Sequence, residues 1–458
     1  MPPKASKRRV NGLQRDSSDG TSPAPITPDR ATWPAWCEVE SEPAFFNTIL
    51  HEINVDGVKV QEVLGLDDEC LAILPKPVYA MIFLFKYTKA EEEGQTTSCP
   101  PNVWFANQVP EFACASVALL NIVMNLPDVR LGHELQNFKD STRSLDPVSK
   151  GDAIASFDFV RNIHNSFARD MDMLNIDYLL KDKHASSLKK RKLEAANAAK
   201  AEKAAARAEE KALRDAANIA NGASTPSRSN PLCKARATDL SEDADWTASE
   251  AFHFIAYMPI GDEVWKLDGM EGFPQSLGTL HESQDWLQII QTELTARMLQ
   301  YQEGQIEFSL MAVIKDPAID DRTSLAENIK ALHEITRRLD EVIPDWRAFT
   351  VASADESTIL NANSKYGITD ADIQAAIIPG SVSDKLKSDR SEILLHLRQD
   401  MITAQAACRD TLRDHSLSNQ SDAIKAMHRR FDYSSFVNGW LDSLAEEDVL
   451  LSLLEKAQ

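Results

Sequence analysis

Hydrophobic positions along the chain change period several times, and each change marks an element. Phe45, Ile49 and the stretch His51–Ile53 recur at helical spacing and predict a helix over Ala44–Ile53. The run Val78–Phe85 (VYAMIFLF) is continuously apolar and of strand length, as a strand buried on both faces must be. Ala113–Met124 is apolar without Gly or Pro and predicts a core helix. Ala251–Met258 and Val264–Asp268 read as strands around a turn containing Gly261, and Phe308–Ile314 (FSLMAVI) reads as a further buried strand. Strands mixed with helices across residues 33–318 imply an α/β or α+β domain of catalytic size.

Residues 173–249 interrupt that domain. Lys189–Lys211 is rich in Ala, Lys and Glu, with Leu188, Leu193 and Leu213 as its large apolar neighbours. Helix propensity is high there but no apolar stripe exists, which predicts a solvated helix; Asn221–Asn230 reads as a Ser/Pro loop. After Asp316 the pattern is helical. Ser324-x-x-Glu327 has capping-box form and predicts a helix start. Leu325, Ile329, Leu332, Leu339 and Val342 follow at the spacing of a paired helix. Trp346–Arg390 is less regular, Ser391–Leu412 resumes a stripe, and Phe431–Leu454 is a last amphipathic stretch. Residues 319–458 are therefore expected to form an all-α extension. Residues 1–32, basic over Lys4–Arg9 and then Ser, Thr, Asp and Pro, read as a disordered tail, with order beginning at Trp33–Trp36.

Composition refines this picture. The 458 residues hold 49 Lys/Arg against 70 Asp/Glu, a net of −21 that argues against a nucleic-acid-binding body. The total hides a split: residues 1–30 carry +3 and residues 181–236 carry +8, leaving −32 elsewhere. The six cysteines lack CxxC spacing, which excludes a zinc ribbon and argues against a disulfide framework. The N-terminus has no apolar h-region, and no stretch reaches the roughly 18 apolar residues of a spanning helix. An intracellular, reducing setting without membrane contact is expected. Lys189–Lys192 (KKRK) reads equally as a nuclear localisation signal or a solvated charge run.

Candidate chemistry centres on a thiol. Cys114 stands at the predicted start of the Ala113–Met124 helix, where unpaired N–H groups and the macrodipole favour an anion; a Cys on an apolar helix is also ordinary core. If the hairpin closes on Ile260–Gly261, His253 faces Asp268 directly, with Cβ atoms roughly 4.5–5.5 Å apart. A carboxylate so placed holds an imidazole in one tautomer, as a catalytic base requires, though a structural His bonded to a turn Asp would look the same.

The run FANQVPEFACASVALLNIV, with Gln108 six residues before Cys114, resembles the active-site signature of the ubiquitin carboxyl-terminal hydrolases. EAFHFIAYMPIGDEVWKLDG resembles that family's histidine motif and the Asp fifteen residues after it. WCEVESEPAFFNTIL, PVYAMIFLFKY, VRNIHNSFAR and GQIEFSLMAVIKD match in order, so the resemblance covers 36–172 and 250–316. It implies a papain-like α/β fold over 33–318 and no cofactor or metal. It also implies Cys114 as nucleophile toward the carbonyl after ubiquitin's C-terminal glycine. His253 would be base and proton donor, and Asp268 its orienting group. Gln108, with the Cys114 N–H, would form the oxyanion hole, and a thioester would then be hydrolysed. Asp262 and Glu263 are expected to be solvated turn residues.

In this family a loop crosses the active site. Residues 173–249 occupy that place and are longer than usual, which implies access for larger leaving groups or restraint by a partner. The tail resembles the long-tailed branch, with its proteasome-associated and Polycomb-linked members. Its segment 428–458 looks like their docking site for a helical DEUBAD-type adaptor, although Phe431 and Asp432 replace their usual His-Asn. The run ends at Gln458 without their basic extension, so a tail that grips DNA is not expected. The resemblance implies a thiol-protease-type deubiquitinase of cytoplasm and nucleus. Its partners would be ubiquitin conjugates and, through 319–458, an adaptor on the proteasome. Alternatives are a chromatin deubiquitinase acting on histones with a Polycomb-type adaptor, a ubiquitin-binding scaffold with weak catalysis, or a general papain-like protease.

Overall fold

The computed structural model describes residues 30, 32–86, 98–127, 129–220, 252–281, 284–303, 308–349, 358–447 and 449. The 1–29 part of the tail, the Asn221–Asn230 loop with the rest of the insertion to 249, Ala251, and residues 450–458 lie outside the described residues.

The elements that build the site are α1 (Pro43–Glu52), β1 (Val58–Glu62), β2 (Val78–Lys86), α2 (Cys114–Val123), α3 (Pro147–Ala155), α4 (Asp158–Asn165), α5 (Asp170–Ala220), β3 (Phe252–Ile260), β4 (Glu263–Leu267), β5 (Gln275–Thr279), α6 (Trp286–Glu303) and β6 (Ser309–Lys315). Helices α7 (Pro317–Val342), α8 (Ser391–Arg430) and α9 (Ser434–Glu446) follow. The six strands form one antiparallel sheet in the order β1-β6-β2-β3-β4-β5. β2 runs through its middle, and both of its faces are covered. Ala80 and Ile82 point to the side of α1 and α2. Met81, Phe83 and Phe85 point to the side of Trp286, Leu287 and Ile290 on α6. A strand with no wet face has no reason to alternate, which accounts for VYAMIFLF.

α2 is the buried helix expected from its sequence: every residue from Ala115 to Val123 is inaccessible, and it packs on β3. The helical half of the insertion is not a separate unit. α5 begins inside the domain at Asp170, where Met173 and Ile176 are buried, and continues as one helix to Ala220.

Two boundaries in the extension differ from expectation. α7 starts at Pro317, with Asp316 capping by accepting the Ala318 N–H at 3.1 Å, so Ser324 and Glu327 lie within the helix and cap nothing. An Asp-Pro start outcompetes the later capping-box pattern because Pro fits the first helical position and Asp satisfies an open N–H. α8 continues past Leu412 to Arg430, and the last stretch is broken at Phe431–Tyr433 before α9. α8 packs along α7 and then folds back on α1, burying Ala426 in the main core. Arg430 makes two 2.7 Å bonds to Glu52, and its guanidinium lies 4.4 Å from the Phe167 ring centre. No helix among the described residues is long and apolar enough to cross a membrane.

Candidate active site

Cys114 is the first residue of α2 and is half-buried. Its N-cap is Ala113, which offers no side-chain hydrogen bond to the helix N–H groups. Ala is a poor cap, worth about 1 kcal/mol less than Ser or Asp, and here the omission leaves helix N–H groups open toward the thiol. Phe112, just before it, holds φ +65 in the left-handed region and turns the chain sharply into the helix.

The β3–β4 hairpin departs from the expected register. Ile260 pairs with Glu263 and Ala256 with Leu267, so the turn is Gly261–Asp262, with Gly261 at φ +62. A two-residue turn with a positive first φ suits the twist of the strands, and it displaces the expected turn by one residue. His253 is therefore not directly opposite Asp268. The displacement changes the pairing by two positions, an even number, so both residues keep the same face and meet as diagonal neighbours. His253 Nε2 lies 2.7 Å from Asp268 Oδ1, with both side chains buried. Asp268 Oδ1 also accepts the Met270 N–H at 2.9 Å.

With Nε2 committed to Asp268, Nδ1 is the nitrogen left for the Cys114 thiol, whose side chain hydrogen bonds the imidazole. Burial alone would depress the His253 pKa. The Asp268 and Cys114 hydrogen bonds and the charges behind them prevail and lift it to about 9. Asp268 shows the complementary balance: burial raises its pKa, but the His253 bond and charge, the Met270 N–H and Lys266 hold it below the usual carboxylate range.

Gln108 lies on the loop before Cys114, and a set of contacts missed by sequence reasoning fixes it there. Its N–H donates to the Gly269 carbonyl at 2.8 Å. A Cβ on Gly269 would stand 3.1 Å from Gln108 Cβ, so glycine is what allows the Asp268 turn and the Gln108 loop to touch. Asn107 Nδ2 donates to the carbonyls of Gly269 (3.3 Å) and Glu271 (2.5 Å). Asn121 of α2 pairs with both the N–H and the carbonyl of Ala106, and Asn125, in the turn just after α2, does the same with Trp104. Two amides at i and i+4 thus act as a substitute strand edge, binding the loop to the helix that carries the nucleophile. Polar residues at that spacing in an otherwise apolar helix were the available signal. The structure brings Cys114, His253 and Gln108 to one cleft of about 680 Å³, with Asp268 behind the imidazole.

The cleft walls are charged. Glu38, Glu40 and Asp172 line it together with Arg429, from the end of α8. Burial, then the charges of Glu40 and Asp172, push the Glu38 carboxyl above its ordinary range. Lys183 of α5 closes one rim, reaching Glu111 at 2.8 Å with its ammonium 5.5 Å from the Phe112 ring centre. Asp262 is an exposed turn residue as expected, whereas Glu263 is not in the turn: it is half-exposed and opens β4, paired with Ile260. No group of three His, Cys, Asp or Glu among the described residues could hold a metal ion.

A family model described as ubiquitin carboxyl-terminal hydrolase, family 1, matches residues 36–299. The chain is 28% identical over 324 residues to the ubiquitin carboxyl-terminal hydrolase ubh-4 of Caenorhabditis elegans, covering 70% of this chain and 78% of that one. It is 27% identical over 423 residues to isozyme L5 of Dictyostelium discoideum (92% and 95%). With BAP1 of Xenopus tropicalis it shares 27% over 297 residues (61% and 34%). A crystal structure of Trichinella spiralis UCH37 bound to ubiquitin vinyl methyl ester, 26% identical, covers 63% of this chain and 86% of that one at a TM-score of 0.41. Since the family model spans more than half of the chain, including the cleft residues from Glu38 to Met270, this protein belongs to the ubiquitin carboxyl-terminal hydrolases, family 1, the cysteine-type deubiquitinases with a papain-like α/β fold.

Proposed function

We propose that Cys114, His253, Asp268 and Gln108 carry the hydrolysis. The observation that supports this most is the chain of contacts thiol–imidazole–carboxylate at an uncapped helix start inside the cleft. The Cys114 proton passes to His253 Nδ1, and the sulfur attacks the carbonyl of ubiquitin's C-terminal glycine. The Gln108 side-chain amide and the Cys114 N–H receive the oxyanion of the tetrahedral intermediate. His253 then returns the proton to the leaving amine, which departs as the thioester forms. In the second half His253 takes a proton from water, the hydroxide attacks the thioester, and the thiol is regenerated. Asp268 holds the imidazole and its positive charge throughout. The acidic wall of Glu38, Glu40 and Asp172 suits ubiquitin's arginine-containing tail.

Hydrolysis of a ubiquitin C-terminal amide reporter tests this assignment. Cys114→Ala is expected to abolish turnover while retaining ubiquitin binding. Equal rates for both proteins would overturn it in favour of a binding scaffold, and digestion of casein would favour a general protease.

We further propose that α9 docks a helical adaptor and that the enzyme works on the proteasome, in cytoplasm and nucleus. α9 has no buried residue, and Phe436 and Trp440 are 73% and 56% exposed, the anchors an apolar partner helix would cover. The likeness to nearly the whole of isozyme L5, against a third of BAP1, favours this setting over chromatin. Affinity purification tests it: recovery of proteasome subunits supports the proposal, and recovery of a chromatin adaptor alone overturns it.

A further inference from the structure

α5 leaves the cleft rim at Lys183, and every residue from Lys181 to Ala208 is exposed. Its charges are not spread evenly. Lys189, Lys192, Lys200, Lys203 and Arg207 follow one another at spacings that keep all five within about 80° of arc, with Ala196 as the other residue on that face. The stripe is about 27 Å long at 1.5 Å per residue. The acids of the same stretch, Glu194 and Glu202, fall on the opposite side, as does Arg191, and Lys190 lies off the stripe. No ion pair among the described residues engages any of the five cations.

We infer that this stripe is a binding site for the phosphate backbone of duplex DNA. An interface with a folded protein needs apolar or aromatic anchors, a membrane-surface helix needs an apolar face, and pairing with a second copy needs an apolar seam. Between Lys181 and Ala208 the large apolar residues are Leu188 and Leu193. What the arm offers is a row of cations that make no ion pair among the described residues, with alanines beside it, so that the helix can approach closely. A row of phosphates is the complement, and a bare helix fits the major groove between two such rows. The remainder of the chain is strongly acidic and repels a duplex, which confines contact to the arm. Because Lys183 ties the root of the arm to Glu111, beside Cys114, a bound duplex stands next to the cleft. On the reading of the cleft given above, duplex binding would be a second setting beside the proteasomal one, in which the arm brings conjugates on DNA-bound proteins to the cleft.

The test is fluorescence anisotropy of a labelled duplex of about 24 base pairs, long enough for the stripe, with the full chain. Five phosphate contacts predict a slope of log affinity on log salt of about −4.5, so that raising salt from about 50 to about 200 mM weakens binding roughly 500-fold. Two double variants share the same KKRK run and the same loss of charge. Lys189→Gln with Lys192→Gln removes two members of the stripe, and its slope should fall to about −2.7. Lys190→Gln with Arg191→Gln removes two cations off the stripe and should keep the wild-type slope. Gln preserves helix propensity, and equal far-UV circular dichroism verifies the fold. Equal losses in the two variants, absence of duplex binding, or equal affinity for poly-glutamate would each overturn the inference. Both variants should hydrolyse the ubiquitin reporter at the wild-type rate, so this outcome is independent of the Cys114 assignment.

Discussion

His164 should make the fold acid-sensitive well above the range in which carboxylates titrate. It is fully buried, with Nε2 2.7 Å from the Cys37 carbonyl and Nδ1 2.8 Å from Ser116 Oγ, and its ring stands edge-on to Trp36 at 5.0 Å. The carbonyl can only accept, so Nε2 carries the proton, and Nδ1 accepts from the Ser116 hydroxyl. One neutral tautomer therefore satisfies both neighbours. Burial pushes the pKa down to about 4, against a smaller upward pull from the Cys37 carbonyl.

The unfolded chain binds a proton at His164 near pH 6.5, whereas the folded chain resists until about 4. Stability from this site is intact above about pH 6.5 and is lost as pH falls from there to about 4, a total of roughly 3 kcal/mol. At about pH 5 the loss should already be about 2 kcal/mol. Urea unfolding at about pH 7.5 and about pH 5 measures it, with His164→Gln as the comparison that cannot titrate. The wild type should lose about 2 kcal/mol more than the variant over this interval. Parallel losses in the two proteins would refute the reasoning, because carboxylates common to both would then account for the whole dependence.

Removing an oxyanion donor with Gln108→Ala should lower kcat by about 10² to 10³ with little change in KM, since the amide acts on charge that develops in the transition state. A raised KM at unchanged kcat would instead mark Gln108 as a binding residue. Asn107→Asp replaces a donor to the Gly269 and Glu271 carbonyls with an acceptor and should slow reporter hydrolysis by about tenfold. Alkylation of Cys114 by iodoacetamide, which needs no oxyanion hole, should stay close to wild type, and equal slowing of both reactions would indicate general loss of structure. Arg429→Met strands Glu40 and Asp172 beside Glu38 and should cost roughly 2 kcal/mol in urea unfolding. An unchanged midpoint would mean that the contacts are as weak as exposed ion pairs.

Much of this architecture was legible in the sequence because burial leaves a periodic trace. β2, β6 and α2 lie where continuous apolar runs placed them, since an element covered on all sides must be apolar throughout. The β3–β4 hairpin was found but its pairing was not. Apolar alternation fixes which face a residue takes, while the turn residue alone fixes which residue it meets, and Ile260–Gly261 and Gly261–Asp262 both read as turns. His253 and Asp268 meet anyway because the face was right. The start of α7 was misplaced because two start signals compete within a few residues, and the pattern alone does not rank Asp316-Pro317 above Ser324-x-x-Glu327. Least legible were Asn107, Asn121, Asn125 and Arg429. Their work is to satisfy backbone groups and charges elsewhere in the chain: the Asn121–Asn125 spacing is a local signal but does not name its partners, and Asn107 and Arg429 leave no local period at all.

Arg429 also decides what the helical extension is. Its guanidinium donates to Glu40 at 2.6 Å, to the Phe167 carbonyl at 2.7 Å and to Asp172 at 3.0 Å, and its side chain is 9% exposed. Glu40 belongs to the entry segment, Asp172 to the first turn of α5, and Arg429 to the last turn of α8. Three distant parts of the chain thus meet at one cation in the cleft wall. Three residues later, Asp432 accepts the Asp170 N–H at 2.8 Å at the start of α5. The end of α8 therefore anchors the helix whose next turns line the cleft together with Cys114, and α9 begins where that anchorage stops. Any force on α9 is delivered within a few residues to Arg430, Asp432 and the root of α5. The extension is thus mechanically part of the cleft, with its outer helix left exposed and its inner end fixed beside the acids that face the substrate channel.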